Sequence, residues 1–387
     1  MSLNAKHIYS SAIKGLLVVC TMSLLTTACS EESSDLQEDR DILKLIPCTQ
    51  PFTEEGQMQT RAITLPDNYS VYTNLYPQAS SEHASIHAYL ISNDVVNAED
   101  NFVYDKEKLE MTTGGVITKT GWSSTVKVKQ GSEYYVYGFM PASFEPTASI
   151  SPNNGSYEDK AVININGVNA VTPADVCVVT GVKGFTTPIT DSGTSGSVDL
   201  GSFYYKGQGK GKNYIYLLLD HLFACINLEF SVDEQYSKMR KIKLRKVQIA
   251  TSSPTKKRNL TVTINGPSYS VSDTDGTNNS SPAVVYDQTA TAAAALSYIP
   301  VGEETPLSVP GYFTPDINTS FIITSTYDIY DINNNLVREG CTAENTLQLN
   351  VTETIRGNCY TVKFVITPTY LYQLSEPDLD NPTIQVG

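Results

Sequence analysis

Apolar and polar residues alternate with a period of two along most of this chain. Ile86-Ala88-Leu90, Val126-Val128, Tyr135-Tyr137-Phe139, Ile163-Ile165, Leu260-Val262-Ile264, Leu347-Leu349-Val351 and Val362-Phe364-Ile366 are the clearest runs. That spacing puts every second side chain on one face of an extended segment, so each run predicts a strand with one buried face. Asn333-Asn334-Asn335, between Tyr327-Asp328-Ile329-Tyr330 and Leu336-Val337, predicts a hairpin loop. Only Asp233 to Arg240 and Thr289 to Leu296 carry a pattern that a short helix can use. Abundant Tyr, Thr, Val and Ser, with 24 Gly and 19 Pro for turns, complete the picture of an all-β sandwich.

The first residues depart from the alternation. Lys6, His7 and Lys14 precede an apolar stretch, Gly15 to Leu25, which is too short to cross a bilayer as a helix. Thr26-Thr27-Ala28 supplies small residues directly before Cys29. This order is that of a secretory signal, here residues 1–28, with Cys29 as the expected lipidation site. Several acyl chains such as palmitate on one N-terminus make a stable anchor. Thr26 stands where Leu is usual, with Leu25 one step earlier, and Cys20 competes but follows Val19, which is not small. The bland alternative is a plain secretory signal with an incidental Cys.

Residues 29–61 read as a segment apart. Ser30-Glu31-Glu32-Ser33-Ser34-Asp35 is a polar tether, and Ile42, Leu43, Leu45 and Ile46 form one short apolar strand candidate ended by Pro47. Arg61-Ala62 lies in a polar context of the kind where proteases cut. Further on, Gly207-Gln208-Gly209-Lys210-Gly211-Lys212 reads as a linker or exposed loop. A boundary near residue 212, give or take about ten residues, would divide the remainder into two β-sandwiches, 62–212 and 213–387. The glycine run lacks a phosphate loop's ending and has no helix pattern behind it.

Composition narrows the chemistry. A formal charge of −14 argues against nucleic acid and anionic membrane surfaces as partners. Beyond the signal, Cys48, Cys177, Cys225, Cys341 and Cys359 are odd in number and widely spaced, without a zinc-type pattern. Cys225 and Cys359 lie in alternating runs and are expected in the core. One pair is open to oxidation outside the cell, and spacing does not say which.

Of four His, His83 and His87 would share a strand face about 13 Å apart at roughly 3.3 Å per residue, too far for one metal. His221 follows Asp220 in an apolar run and is expected as a hydrogen-bonded core or junction residue. Asp273-Thr274-Asp275-Gly276 resembles half a calcium loop without its terminal Glu, and Asp378 to Pro382 is similarly acidic; both are expected as turns. No HExxH, GxSxG or paired-carboxylate motif is present. The expectation is a non-enzyme without catalytic residues, cofactor or metal.

Several segments together resemble the fimbrillin family of type V pilins, the lipoprotein-derived fimbrial subunits of Bacteroidetes. They are Cys29 with its Glu/Ser-rich tether, Thr60-Arg61-Ala62, Tyr134 to Pro141 (YYVYGFMP), Asp220 to Phe230 (DHLFACINLEF), Arg356 to Phe364 (RGNCYTVKF), and the tail from Tyr370 to Pro382. The resemblance implies two transthyretin-like (Greek-key) sandwiches in tandem, the second opened by the His221 segment. It also implies an outer-membrane lipoprotein precursor, moved to the cell surface and cut after Arg61 by a trypsin-like, Arg-specific protease. The cut would release the strand at Ile42 to Ile46, and an extended strand from another pilin subunit would fill the groove. This is β-augmentation, with main-chain hydrogen bonds for affinity and alternate side chains for pocket contacts.

Anchoring subunits generally lack such a cut, so Arg61 favours a stalk or tip subunit of a fimbrium acting in adhesion. In the tail, residues 368–387, Tyr370, Tyr372 and Leu374 resume the alternation, a turn is expected at Glu376 to Pro382, and Ile384 and Val386 end it. These five are the candidate donor-strand contacts. The competing reading is a monomeric surface lipoprotein that binds glycans, against which stands a single Trp, Trp122.

Overall fold

Strand formation follows the alternation closely. The computed structural model describes residues 42–49, 52–54, 63–65, 86–92, 103–109, 122–128, 130–185, 196–198, 202–209, 211–302, 304–315, 320–351, 353–371 and 376–386. In chain order the strands are β1 (Ile42–Thr49), β2 (Thr53–Glu54), β3 (Ile63–Leu65), β4 (Ile86–Ser92), β5 (Val103–Leu109), β6 (Trp122–Lys127), β7 (Glu133–Met140) and β8 (Ala148–Ser151). Next come β9 (Lys160–Val168), β10 (Val171–Thr172), β11 (Cys177–Phe185), β12 (Gly196–Val198), β13 (Tyr204–Lys206), β14 (Tyr214–His221), β15 (Ala224–Val232) and β16 (Arg240–Thr251). The last are β17 (Lys256–Asn265), β18 (Ser268–Asn279), β19 (Ala283–Asp287), β20 (Leu307–Phe313), β21 (Ser320–Asp331), β22 (Leu336–Gln348), β23 (Asn358–Leu371) and β24 (Glu376–Val386). A single helical turn, Glu234–Ser237, falls where one was expected, with the Asp233 carboxylate accepting from the amides of Gln235 and Tyr236.

The protein is all-β, and its apolar faces gather into two cores. The first lies between the sheet β5-β4-β7-β11-β14-β1-β6 and the sheet β18-β17-β9-β8. Tyr137, Phe139, Ile163, Val178, Leu217 and Val262 are buried there. The second lies between β10-β20-β15-β23 and β19-β16-β21-β22, around Phe230, Ile249, Phe313, Phe321 and Phe364. The two cores are not consecutive blocks of chain. The β17–β18 hairpin comes after the second core has begun, yet β17 pairs with β9 and its Leu260, Val262 and Ile264 fill the first core.

Two expected turns are strand instead. Beyond residue 212 the chain adds one more strand to the first sheet, because β14 lies between β11 and β1. A strand in the middle of a sheet covered on both faces reads as a continuous apolar run, which Tyr214 to Leu219 is. The glycine run is a tied turn: Gly211 has φ +70°, and the Asn213 side chain accepts from the Gln208 amide and the Tyr205 hydroxyl. The chain passes from one core to the other at Leu222-Phe223, where the Leu222 amide donates to Val176 and its carbonyl accepts from Arg356.

Asp273 to Gly276 is strand rather than turn. Arg258 on the neighbouring strand pairs with both Asp273 and Asp275, so the carboxylates are neutralised across the ladder. Glu376 to Pro382 is likewise strand. β24 is an edge strand, where Pro377 and Pro382, which have no N–H to donate, interrupt no inner ladder.

Candidate functional site

The apolar strand ahead of Arg61 does not sit at a rim. β1 is inserted between two strands of the first sheet: Lys44 to Thr49 pair parallel with Tyr214 to Leu219, and Ile42, Lys44 and Leu45 oppose Lys127, Ser123 and Trp122 antiparallel. Leu43 is buried in the first core. Taking this strand away would leave a slot one strand wide, with β14 and β6 each missing a hydrogen-bonding neighbour.

The same segment then crosses to the second sheet. The Thr53 amide donates to the Gly357 carbonyl at 2.9 Å, and Thr53 and Glu54 pair parallel with Asn358 and Cys359 on β23. Just before them, Phe52 stacks on His221 and lies 5.7 Å from the Tyr312 ring. The segment therefore holds positions in both sheets and touches the junction between the cores.

Under Phe52 lies a buried polar group. His221 Nδ1 is 2.7 Å from Asp175 Oδ2 and 3.6 Å from Cys177 Sγ, and all three residues are buried. Burial, and then the charge of Asp175, push the Cys177 thiol up. Burial also raises the Tyr312 phenol. Among the described residues this trio has converging donor atoms, within 4.8 Å of one another, which is the spacing a metal ion needs. The 2.7 Å contact is itself a hydrogen bond in length. A hydrolytic triad places acid and nucleophile on opposite ring nitrogens, whereas here both face Nδ1. The arrangement is a hydrogen-bonded polar group buried at the junction, without the two-sided imidazole geometry of a hydrolytic triad.

The tail docks on the edge of β23 that β2 also uses. β24 pairs antiparallel with β23 from Phe364 opposite Val386 to Leu371 opposite Glu376, and β2 takes the start of the same edge. Ile384 is buried in the second core, while Val386 is 41% exposed. Tyr236 donates to the Leu379 carbonyl at 2.8 Å, Asn345 to the Ile384 carbonyl at 2.6 Å, and Arg240 forms an ion pair with Asp380 at 2.6 Å.

Of the residues singled out in the sequence, Ile42, Leu43, Leu45 and Ile46 come together in β1, and Ile384 and Val386 in β24. Tyr370 lies on β23 opposite Pro377. Cys29, Arg61, Ala62, Tyr372, Leu374 and His83 lie outside the described residues. Phe52, Asp175 and Cys177 were missed as a group, because nothing local in sequence links residues so far apart.

No family model matches the chain, and no curated protein matches it in sequence. Solved structures do. The likeness is to fimbrial and cell adhesion proteins of Bacteroidetes. A fimbrial protein from Bacteroides vulgatus shares 12% identity at a TM-score of 0.35, over 89% of this chain and 98% of that one. A candidate cell adhesion protein from Bacteroides fragilis shares 12% identity at 0.34, over 89% and 97%. The fimbrial anchor protein Mfa2 of Porphyromonas gingivalis shares 11% identity at 0.27, over 89% and 96%.

Proposed function

We propose that this chain is a structural subunit, stalk or tip, of a cell-surface pilus that contributes to adhesion. In this reading it is exported as a lipoprotein through Cys29, cut after Arg61, and polymerised by β-strand exchange with other pilin subunits. The observation that carries the reading is the place of β1. A segment that ends in a cleavable Arg context occupies an inner position of a sheet, with Leu43 in the core. Each apolar side chain lost from such a slot exposes surface worth about 1.5–3 kcal/mol, so the vacated slot favours any strand that refills it. An unpaired edge is a liability until filled, and cleavage delays its exposure. The tail, residues 368–387, is the proposed donor, and β24 must leave the edge of β23 to serve.

Limited trypsin treatment of the purified protein, followed by N-terminal sequencing and electron microscopy, tests this. Filaments built from chains starting at Ala62 are expected. Chains cut completely at Arg61 that remain monomeric would overturn it.

A further inference from the structure

Cys225 and Cys359 face each other across neighbouring strands. They are directly paired in the register of β15 and β23, which run parallel, and their sulfur atoms lie 2.9 Å apart. Paired strands lie about 4.8 Å apart, inside the window of roughly 4.4–6.8 Å between α-carbons that a disulfide spans. Two other cysteines among the described residues lie elsewhere. Cys177 is turned to His221, and Cys341 sits on β22 in a different sheet.

We propose that Cys225 and Cys359 are a disulfide site that fastens β15 to β23, closed by a disulfide-class oxidant. The two strands are joined through 134 residues of intervening separation, so the bridge would close a long loop of the unfolded chain. Cys225 is buried and Cys359 only partly so, which makes Cys359 the sulfur an oxidant reaches. The hydrogen bond from Cys359, and then burial, hold the Cys225 thiol well above its usual range, so attack starts at Cys359.

The Cys359 thiol loses its proton, and its sulfur attacks one sulfur of the oxidant, expelling one thiol. Cys225 then loses its proton and attacks the Cys359 sulfur of the mixed disulfide, expelling the second. One external disulfide is reduced to two thiols and one internal disulfide is formed. The site lies beside the docked segment: Glu54 pairs with Cys359, and Tyr312 with Cys225. Its chemistry does not depend on assembly, so it stands or falls apart from the pilus reading.

The full-length chain, purified in reductant and then treated with oxidised glutathione, is the test material. Peptide mapping without reduction should find Cys225 joined to Cys359, with the linked pair lighter by about 2 Da than the sum of its thiol forms. The melting temperature should rise by something on the order of 5 °C and fall back on reduction. C225S and C359S should each abolish both effects, and C341S neither. A stable glutathione adduct on Cys359 without a bridge, a bridge to any other cysteine, or a bridge that leaves the melting temperature unchanged would each overturn the proposal. The peptide map of the wild-type chain decides it even where a variant fails to fold.

Discussion

Phe52 lies flat against the imidazole of His221, their ring centroids 3.8 Å apart with 25° between the planes. Through this contact the segment ahead of Arg61 rests on the junction of the two cores. The imidazole is held from behind by Asp175, so Phe52 meets a fixed surface.

Phe52→Ala should therefore loosen the docked segment without unfolding the protein. Losing the stacked ring is expected to cost the docking about 1–3 kcal/mol. Amide exchange at Thr53, whose N–H bonds to Gly357, should quicken about tenfold or more. Exchange at Ile323, deep in the second core, should not change. Equal rates at Thr53 in both proteins would show that the stack does not hold the segment.

Buried Asp328 on β21 pairs with the partly buried Arg245 of the neighbouring β16, 2.6 Å apart, and Asp328 also accepts from the Gly340 amide. Arg245→Ala leaves a carboxylate buried without its countercharge, which is expected to destabilise the protein by about 3–5 kcal/mol. Replacing both residues, Arg245→Met with Asp328→Leu, should recover most of that loss. Urea denaturation of the single and double variants measures it, and a double variant as weak as Arg245→Ala refutes the account.

Burial pushes the Tyr327 phenol up to about 12. A group whose pKa is raised on folding contributes stability that is complete below its unfolded value near 10 and fades as pH rises through 12. Melting temperature should accordingly fall between pH 10 and 12, and Tyr327→Phe should make that fall shallower, with little difference at pH 8. Parallel curves for the two proteins would assign the alkaline loss to other phenols.

Ile384 and Val386, two residues apart on β24, should separate folding from assembly. Ile384 is buried, so Ile384→Ala is expected to cost about 2–5 kcal/mol in the free subunit. Val386 is half-exposed, so Val386→Ala should stay within about 0.5 kcal/mol of wild type. If the tail acts as donor, Val386→Ala nevertheless slows filament growth after cleavage. Normal growth with normal stability would remove Val386 from the interface.

What sequence alone made legible was the strand content. Leu260, Val262 and Ile264 alternate as a half-buried strand must, and they are fully buried. Which core they enter was not legible, because alternation reports a face and not its partner. The Gly207 to Lys212 run looked like a boundary since glycine marks turns and linkers alike. Arg258 turned an acidic Asp273-Asp275 pair into strand by countercharge from another segment, a contact no local pattern encodes. β1 was visible as an apolar strand, whereas its insertion between β14 and β6 was not. Phe52 had no neighbour in sequence to give it meaning, because His221 and Asp175 reach it only through the fold.

β1 runs parallel to β14 and antiparallel to β6, so β14 and β6 run in opposite directions. A replacement strand entering the slot meets one neighbour of each kind whichever way it points. Reversal would even exchange the slanted bonds along the longer β14 side for the slightly stronger antiparallel kind. Backbone pairing therefore gives only a slight preference between the two directions. The direction in which a strand enters would be set mainly by side chains, and the buried place of Leu43 is where the two directions would be told apart.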